Sequence, residues 1–109
     1  METGLFYRGG PRLHARRFDV KFTRTGLVND KRGVSVFDRP DHPNLKRHGD
    51  AHLIIQLPES LKVIQHGFDP SHHEIVPVAE MTFEMYEAEL GKTVLVPVPG
   101  LIEGASADD

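Results

Sequence analysis

The sequence predicts an α+β domain, compact and β-rich, built of short strands with one main helix near residues 78–90. Three observations carry that expectation. Ten glycines and eight prolines are scattered as punctuation over 109 residues, which breaks the chain into short segments rather than long helices. Several of those segments are rich in Val, Ile, Phe and Leu and are only four to six residues long, the length of strands. A single stretch late in the chain is rich in Glu, Met, Ala and Leu, the good helix formers.

Taken in order, Leu5–Arg8 is an apolar and aromatic run closed by Gly9-Gly10-Pro11, a first strand and its turn. Phe18, Val20 and Phe22 alternate with Asp19, Lys21 and Thr23, the period-two signature of a half-buried strand. Val34, Val36 and Phe37 form the next strand, between Gly33 and Asp38-Arg39-Pro40. Residues 38–51 are polar with two prolines and read as a long surface loop. His52–Leu57 and Leu61–Gln65 are strands separated by Pro58-Glu59-Ser60, and Glu74–Val78 is another. The helix follows over Val78–Leu90. Val78, Met81, Met85 and Ala88 form its buried stripe, Glu80 and Glu84 favour its early turns, and Gly91 closes it. Lys92–Val98 is a last strand, confined to a sheet edge by Pro97 and Pro99. Residues 103–109 should fray.

Composition excludes several function classes. The longest apolar stretches are Leu53–Ile55 and Thr93–Val96, far short of the ~20 residues that cross a bilayer, and mean hydropathy is −0.35. Nor does a basic segment lead into an apolar one at the start, so no cleaved signal peptide is expected. With no cysteine, disulfides, thiolate nucleophiles and Cys-based zinc sites are excluded. The net charge of −3 hides an asymmetry: residues 1–50 carry 11 Lys/Arg against 6 Asp/Glu, and residues 51–109 carry 2 against 10. The basic half suits an anionic ligand such as a pyrophosphate. The acidic half argues against a continuous nucleic-acid-binding face. The plain alternative is that the opposite charges serve only solubility.

Seven histidines raise the question of a metal. His48 and His52 are four apart, but Pro43 and Gly49 disfavour a helix, and on a strand the two lie about 13 Å apart. No His-x-His pair occurs and no carboxylate sits at a recognisable ligand spacing, so no metal is expected. None of Ser35, Ser60, Ser71 and Ser106 sits in a Gly-x-Ser-x-Gly elbow, and Gly9-Gly10 lacks the rest of a phosphate-binding loop. What remains are polar residues set in apolar strands: Arg8, Ser35, and His72-His73 before Glu74. Each needs a partner if buried, and in isolation each is explained by one.

Four segments taken together resemble a known family. Leu5-Phe6-Tyr7-Arg8-Gly9-Gly10 looks like its first strand, and Gly33-Val34-Ser35-Val36-Phe37-Asp38-Arg39 like its most distinctive motif. Leu57–Val63 resembles its Leu/Pro-rich hairpin. His72-His73-Glu74-Ile75-Val76-Pro77, followed by Met81, Glu84 and Leu90, is similar to its strand-into-helix segment. The family is that of the type VI secretion exported effector 2 toxins, which have an ADP-ribosyltransferase-like fold; the resemblance spans residues 5–90. It implies a bacterial toxin acting in the cytoplasm of a target cell, delivered by a secretion system or resident as a toxin–antitoxin component, and neutralised by a cognate immunity protein. It implies NAD as ligand. Arg8, with Tyr7, Gly9 and Val34, would hold the dinucleotide. Ser35 would support the nicotinamide pocket, and His72 fills a polar position of the later strand. The carboxylate at the nicotinamide ribose falls to Glu74 or Glu80, neither of which sits in a Glu-x-Glu or Gln-x-Glu pattern. Two other classes stay open: a β-rich binding module whose basic half contacts a partner or nucleic acid, and a histidine-based RNase-like toxin.

Overall fold

A computed structural model describes residues 5–46 and 51–98. Six strands form one antiparallel sheet: β1 (Tyr7–Gly9), β2 (Val34–Phe37), β3 (Ala51–Gln56), β4 (Leu61–Gln65), β5 (His72–Pro77) and β6 (Val94–Pro97), in the order β4-β5-β2-β1-β3-β6. Two helices complete the described residues: α1 (Pro43–Lys46) and α2 (Phe83–Leu90). The strand-rich α+β character, and the edge position of β6, agree with the sequence.

The sheet has two unequal seams. β2 and β5 pair along four residues, Val34↔Ile75 to Phe37↔His72. β1 and β2, by contrast, pair only at Tyr7↔Phe37. Continued register would set Gly9 opposite Ser35, but the strands part instead, and the sheet splits into a β4-β5-β2 half and a β1-β3-β6 half. That split positions the site described below.

The alternation of strand side chains sorts the core. Val34, Val36 and Ile75 share one face, where they pack with Leu13, Ala15, Val20, Val28, Leu61 and the α2 residues Tyr86 and Leu90. Phe37 lies on the other face and forms a smaller cluster with Leu45 and Ala51, joined by Tyr7 and Val98. Tyr86 is fully buried and its hydroxyl is inserted between β2 and β5. It accepts from the Val34 N–H at 3.1 Å and donates to the Ile75 carbonyl at 2.5 Å. Gly33 sits against this junction, where a Cβ would lie 1.8 Å from the Ile75 carbonyl oxygen.

Three segments depart from the sequence reading. Residues 18–23 are not a strand. Arg17–Asp19 form a 3-10 turn, closed by Asp19 Oδ2 accepting from the Arg16 N–H at 2.7 Å. Val20 is buried, but Phe18 is 76% exposed under the Arg16 guanidinium, so the alternating face is not a common one.

The loop over residues 38–51 contains α1. Its His42 is buried and stacks on Phe37 with centroids 4.0 Å apart. The Asn44 N–H donates to His42 Nδ1, so Nε2 carries the proton and donates to Asp69 Oδ2 at 2.7 Å.

The main helix starts at Phe83 rather than Val78. Met81 is held extended by reciprocal backbone bonds with Val28, at 2.7 and 3.3 Å, and Thr82 then caps the helix by accepting from the Met85 N–H. The buried stripe is therefore Tyr86 and Leu90 with Phe83 partly buried, while Val78, Met85 and Ala88 are exposed. Gly91 ends the helix at φ −66°, a right-handed conformation, not the left-handed one that favours glycine. The expected frayed segment, residues 103–109, lies outside the described residues. No described helix is long and apolar enough to cross a membrane.

Candidate functional site

The split between β1 and β2 is lined by side chains remote in sequence. Arg8 leaves the first strand and its Nη1 donates to the Ser35 carbonyl at 2.8 Å. It thereby occupies an acceptor that a paired β1 would have used. Ser35 Oγ lies 2.9 Å from His72 Nε2. The second ring nitrogen of His72, Nδ1, is 2.7 Å from the His66 carbonyl oxygen. A carbonyl only accepts, so Nδ1 carries a proton, and in the neutral ring Nε2 accepts from the Ser35 hydroxyl. A hydrolase-type Ser-His-carboxylate relay needs an acid on Nδ1, and here that nitrogen is committed to backbone.

Two cavities open onto this constellation. One of about 250 Å³ is lined by Arg8, Gly9, Ser35, Phe37, Leu45 and His72 among others. The other, about 670 Å³, shares Arg8, Gly9 and Ser35 and runs on past Val34, Arg12, His14 and Arg16. The larger has the volume of a small-molecule site, and the smaller falls just below that range. The larger groove is cationic, with three arginines and one aspartate, Asp19, on its walls. Burial pushes the Arg8 guanidinium below its usual pKa, and the fields of Asp19 and Tyr86 pull the other way. Its Nε is buried without a partner, so this cation is short of the anionic contacts that burial demands.

Arg8, Gly9 and Ser35 thus line both cavities, His72 the smaller one and Val34 the larger. Tyr7 lies in the Phe37–Leu45–Ala51 cluster and lines neither cavity. Glu80 is exposed on the segment before α2 and is also absent from the walls, because the late helix start places it outside. Glu74 is 1% exposed. Its Oε1 accepts from the Gly33 N–H at 3.0 Å and from Arg32 Nε at 3.3 Å. Its Oε2 has no hydrogen-bond partner and lies 3.6 Å from His72 Nε2. Glu74 therefore braces the head of β2 through the Gly33 N–H and lines neither cavity.

Sequence reading alone does not single out Arg12, His14, Arg16 or His66. The run of basic residues after Gly9-Gly10-Pro11 was the available signal for the first three, since a chain reversing beside the first strand returns its next residues to that strand's groove. His66 carries no such signal, because its neighbourhood with His72 is created by the β4–β5 turn. The chain matches no protein-family model, no curated protein and no solved structure.

Proposed function

We propose that the protein is a bacterial toxin with an ADP-ribosyltransferase-like fold, an enzyme that uses NAD in the cytoplasm of a target cell and is neutralised by an immunity or antitoxin protein. One observation carries the reading: Arg8, Ser35 and His72, from three strands, meet at the split of the sheet around the smaller cavity, and Arg8 and Ser35 also open onto the adjoining cationic groove. The donor chemistry fits a dinucleotide. An under-satisfied buried guanidinium beside Arg12 and Arg16 suits a pyrophosphate, which it can grip with a planar fork. Gly9 and Gly10 let the groove's backbone approach a ligand without side chains in the way. The smaller cavity, with Phe37 on one wall and the Ser35–His72 pair on another, suits a flat polar ring.

As substrate, the dinucleotide would supply a labile nicotinamide–ribose bond and with it an activated ADP-ribosyl group. The chain's own residues then have separable tasks. Arg8 orients the anionic linkage. Ser35 presents a hydroxyl whose proton is directed at His72, leaving its oxygen lone pairs for a ligand donor. His72, with Nδ1 held by the His66 carbonyl, turns the lone pair of Nε2 toward the Ser35 hydroxyl.

Thermal stability with NAD and growth on expression test the reading together. A ligand with a Kd of ~100 μM present at ~1 mM stabilises by about 1.4 kcal/mol, a Tm rise of several degrees for a domain of this size. Ser35→Ala and His72→Ala should abolish both the shift and growth inhibition while leaving the circular dichroism spectrum unchanged. No shift at millimolar NAD, with both variants fully toxic, would refute the proposal. Degradation of total RNA by the purified protein would move the assignment to an RNase-like toxin instead.

A further inference from the structure

Beside the Ser35–His72 pair, three side chains that could ligate an ion converge. Among the described residues, the ligand atoms of His66, His72 and Glu74 lie within 4.8 Å of one another. Glu74 Oε2 is 3.5 Å from His66 Nδ1 and 3.6 Å from His72 Nε2. These separations are too long for good hydrogen bonds, and Oε2 has no such partner although Glu74 is 1% exposed. A buried carboxylate oxygen left bare is expensive, and Oε1 already takes the available N–H donors of Gly33 and Arg32.

A tetrahedral ion with bonds of about 2.1 Å separates its ligand atoms by about 3.4 Å, close to both distances. The two imidazole rings stand edge to face, 71° apart with centroids 6.3 Å apart, so that neither blocks the space beside the other's nitrogen. His72 is also held as metal-binding histidines are: its second nitrogen donates to a carbonyl, here that of His66, which fixes the ring and leaves Nε2 as the electron-pair donor. His66 is half-exposed and gives a route in from solvent.

We infer that His66 Nδ1, His72 Nε2 and Glu74 Oε2 form a binding site for a divalent ion of the zinc class, with three protein ligands and a further position open. Two nitrogens and one oxygen suit a borderline ion such as Zn²⁺ or Co²⁺ and not Mg²⁺ or Ca²⁺, which take oxygen ligands. His72 Nε2 has a single lone pair. It accepts from Ser35 or binds the ion, so occupancy releases the Ser35 hydroxyl. The site does not depend on the dinucleotide reading, and its test involves no NAD.

The full chain, tag-free and treated with chelator, is titrated with Co²⁺ and followed by its visible absorption; Zn²⁺ is then added in competition at pH 7.5. One equivalent of Co²⁺ should produce an intense tetrahedral-type spectrum that Zn²⁺ abolishes and excess Mg²⁺ does not. His66→Ala, on the half-exposed turn, and Glu74→Gln, which keeps an acceptor for Gly33, should each weaken binding by at least tenfold. Ser35→Ala removes the competitor for Nε2 and should bind at least as tightly as the wild type. Absence of saturable Zn²⁺ binding below 100 μM, or unchanged affinity in folded His66→Ala and Glu74→Gln proteins, would overturn the assignment.

Discussion

Replacing Tyr86 by Phe tests the central joint of the fold. The ring stays buried, and only the hydroxyl between β2 and β5 is lost. That hydroxyl satisfies the Val34 N–H at 3.1 Å and the Ile75 carbonyl at 2.5 Å, both within the fully buried core. Each backbone group left without a partner costs about 1–3 kcal/mol. If the strands close partly over the gap, the loss is about 2–4 kcal/mol, against a total stability of about 5–15 kcal/mol for a domain. At about 4 °C per kcal/mol for this chain length, Tm should fall by about 8–16 °C.

The same residue has a pH signature. Burial pushes the Tyr86 hydroxyl up to about 12, whereas in the unfolded chain it ionises near 10. A raised acid pKa means that the unfolded chain releases its proton first. Stability is therefore complete below about pH 10 and declines as pH rises toward 12, by up to about 1.4 kcal/mol per unit. Urea unfolding at pH 7 to 11.5 reads both effects. The Phe variant should show a lower midpoint with an unchanged m-value at pH 7, and should lack Tyr86's share of the alkaline slope. A loss under about 0.5 kcal/mol with the wild-type alkaline slope retained would refute the account of the joint.

Two further substitutions probe the supports of the groove. Gly33→Ala places a methyl group 1.8 Å from the Ile75 carbonyl oxygen and 2.7 Å from the Tyr86 hydroxyl, so β2 and β5 must move apart. The cost should reach or exceed the upper end of overpacking, about 3 kcal/mol, and a urea midpoint within 1 kcal/mol of wild type would contradict it. Asp69→Asn weakens the tie from the β4–β5 turn to α1. The bond from His42, and then that from the Ser71 N–H, hold the Asp69 carboxyl below its usual range. A depressed pKa stabilises the fold above about pH 4, the unfolded value, and that contribution is lost as pH falls through the folded one. The stability gap between wild type and Asp69→Asn should shrink between about pH 4 and pH 2, and a gap constant over that window would show that the carboxylate contributes nothing as an ion.

Much of the strand framework was legible because period and punctuation act locally. Leu61–Gln65 begins and ends as expected, since Pro58-Glu59-Ser60 and Gly67 bound an apolar run whose neighbours leave no choice. The Val34–Phe37 strand, bounded by Gly33, was equally plain. Phe18–Thr23 failed because alternation says only that a strand could bury one face, and the Arg16–Asp19 turn settled the matter with local hydrogen bonds. The helix start failed because Val78–Thr82 has helical propensity, which the two backbone bonds between Met81 and Val28 override.

The chain by itself determined which residue types were available: a basic first half, an arginine ending the first strand, a serine inside an apolar strand, and paired histidines opening the fifth. These follow from order along the polymer and need no geometry. Only the tertiary structure decided that β1 and β2 part after one residue pair, so that Arg8 meets Ser35 and His72. Only it brought His66 beside Glu74 across a turn, and sent Glu80 to the surface. Such contacts depend on strand register and on where a sheet opens. Both are set by packing between segments tens of residues apart, and one-dimensional spacing does not encode them.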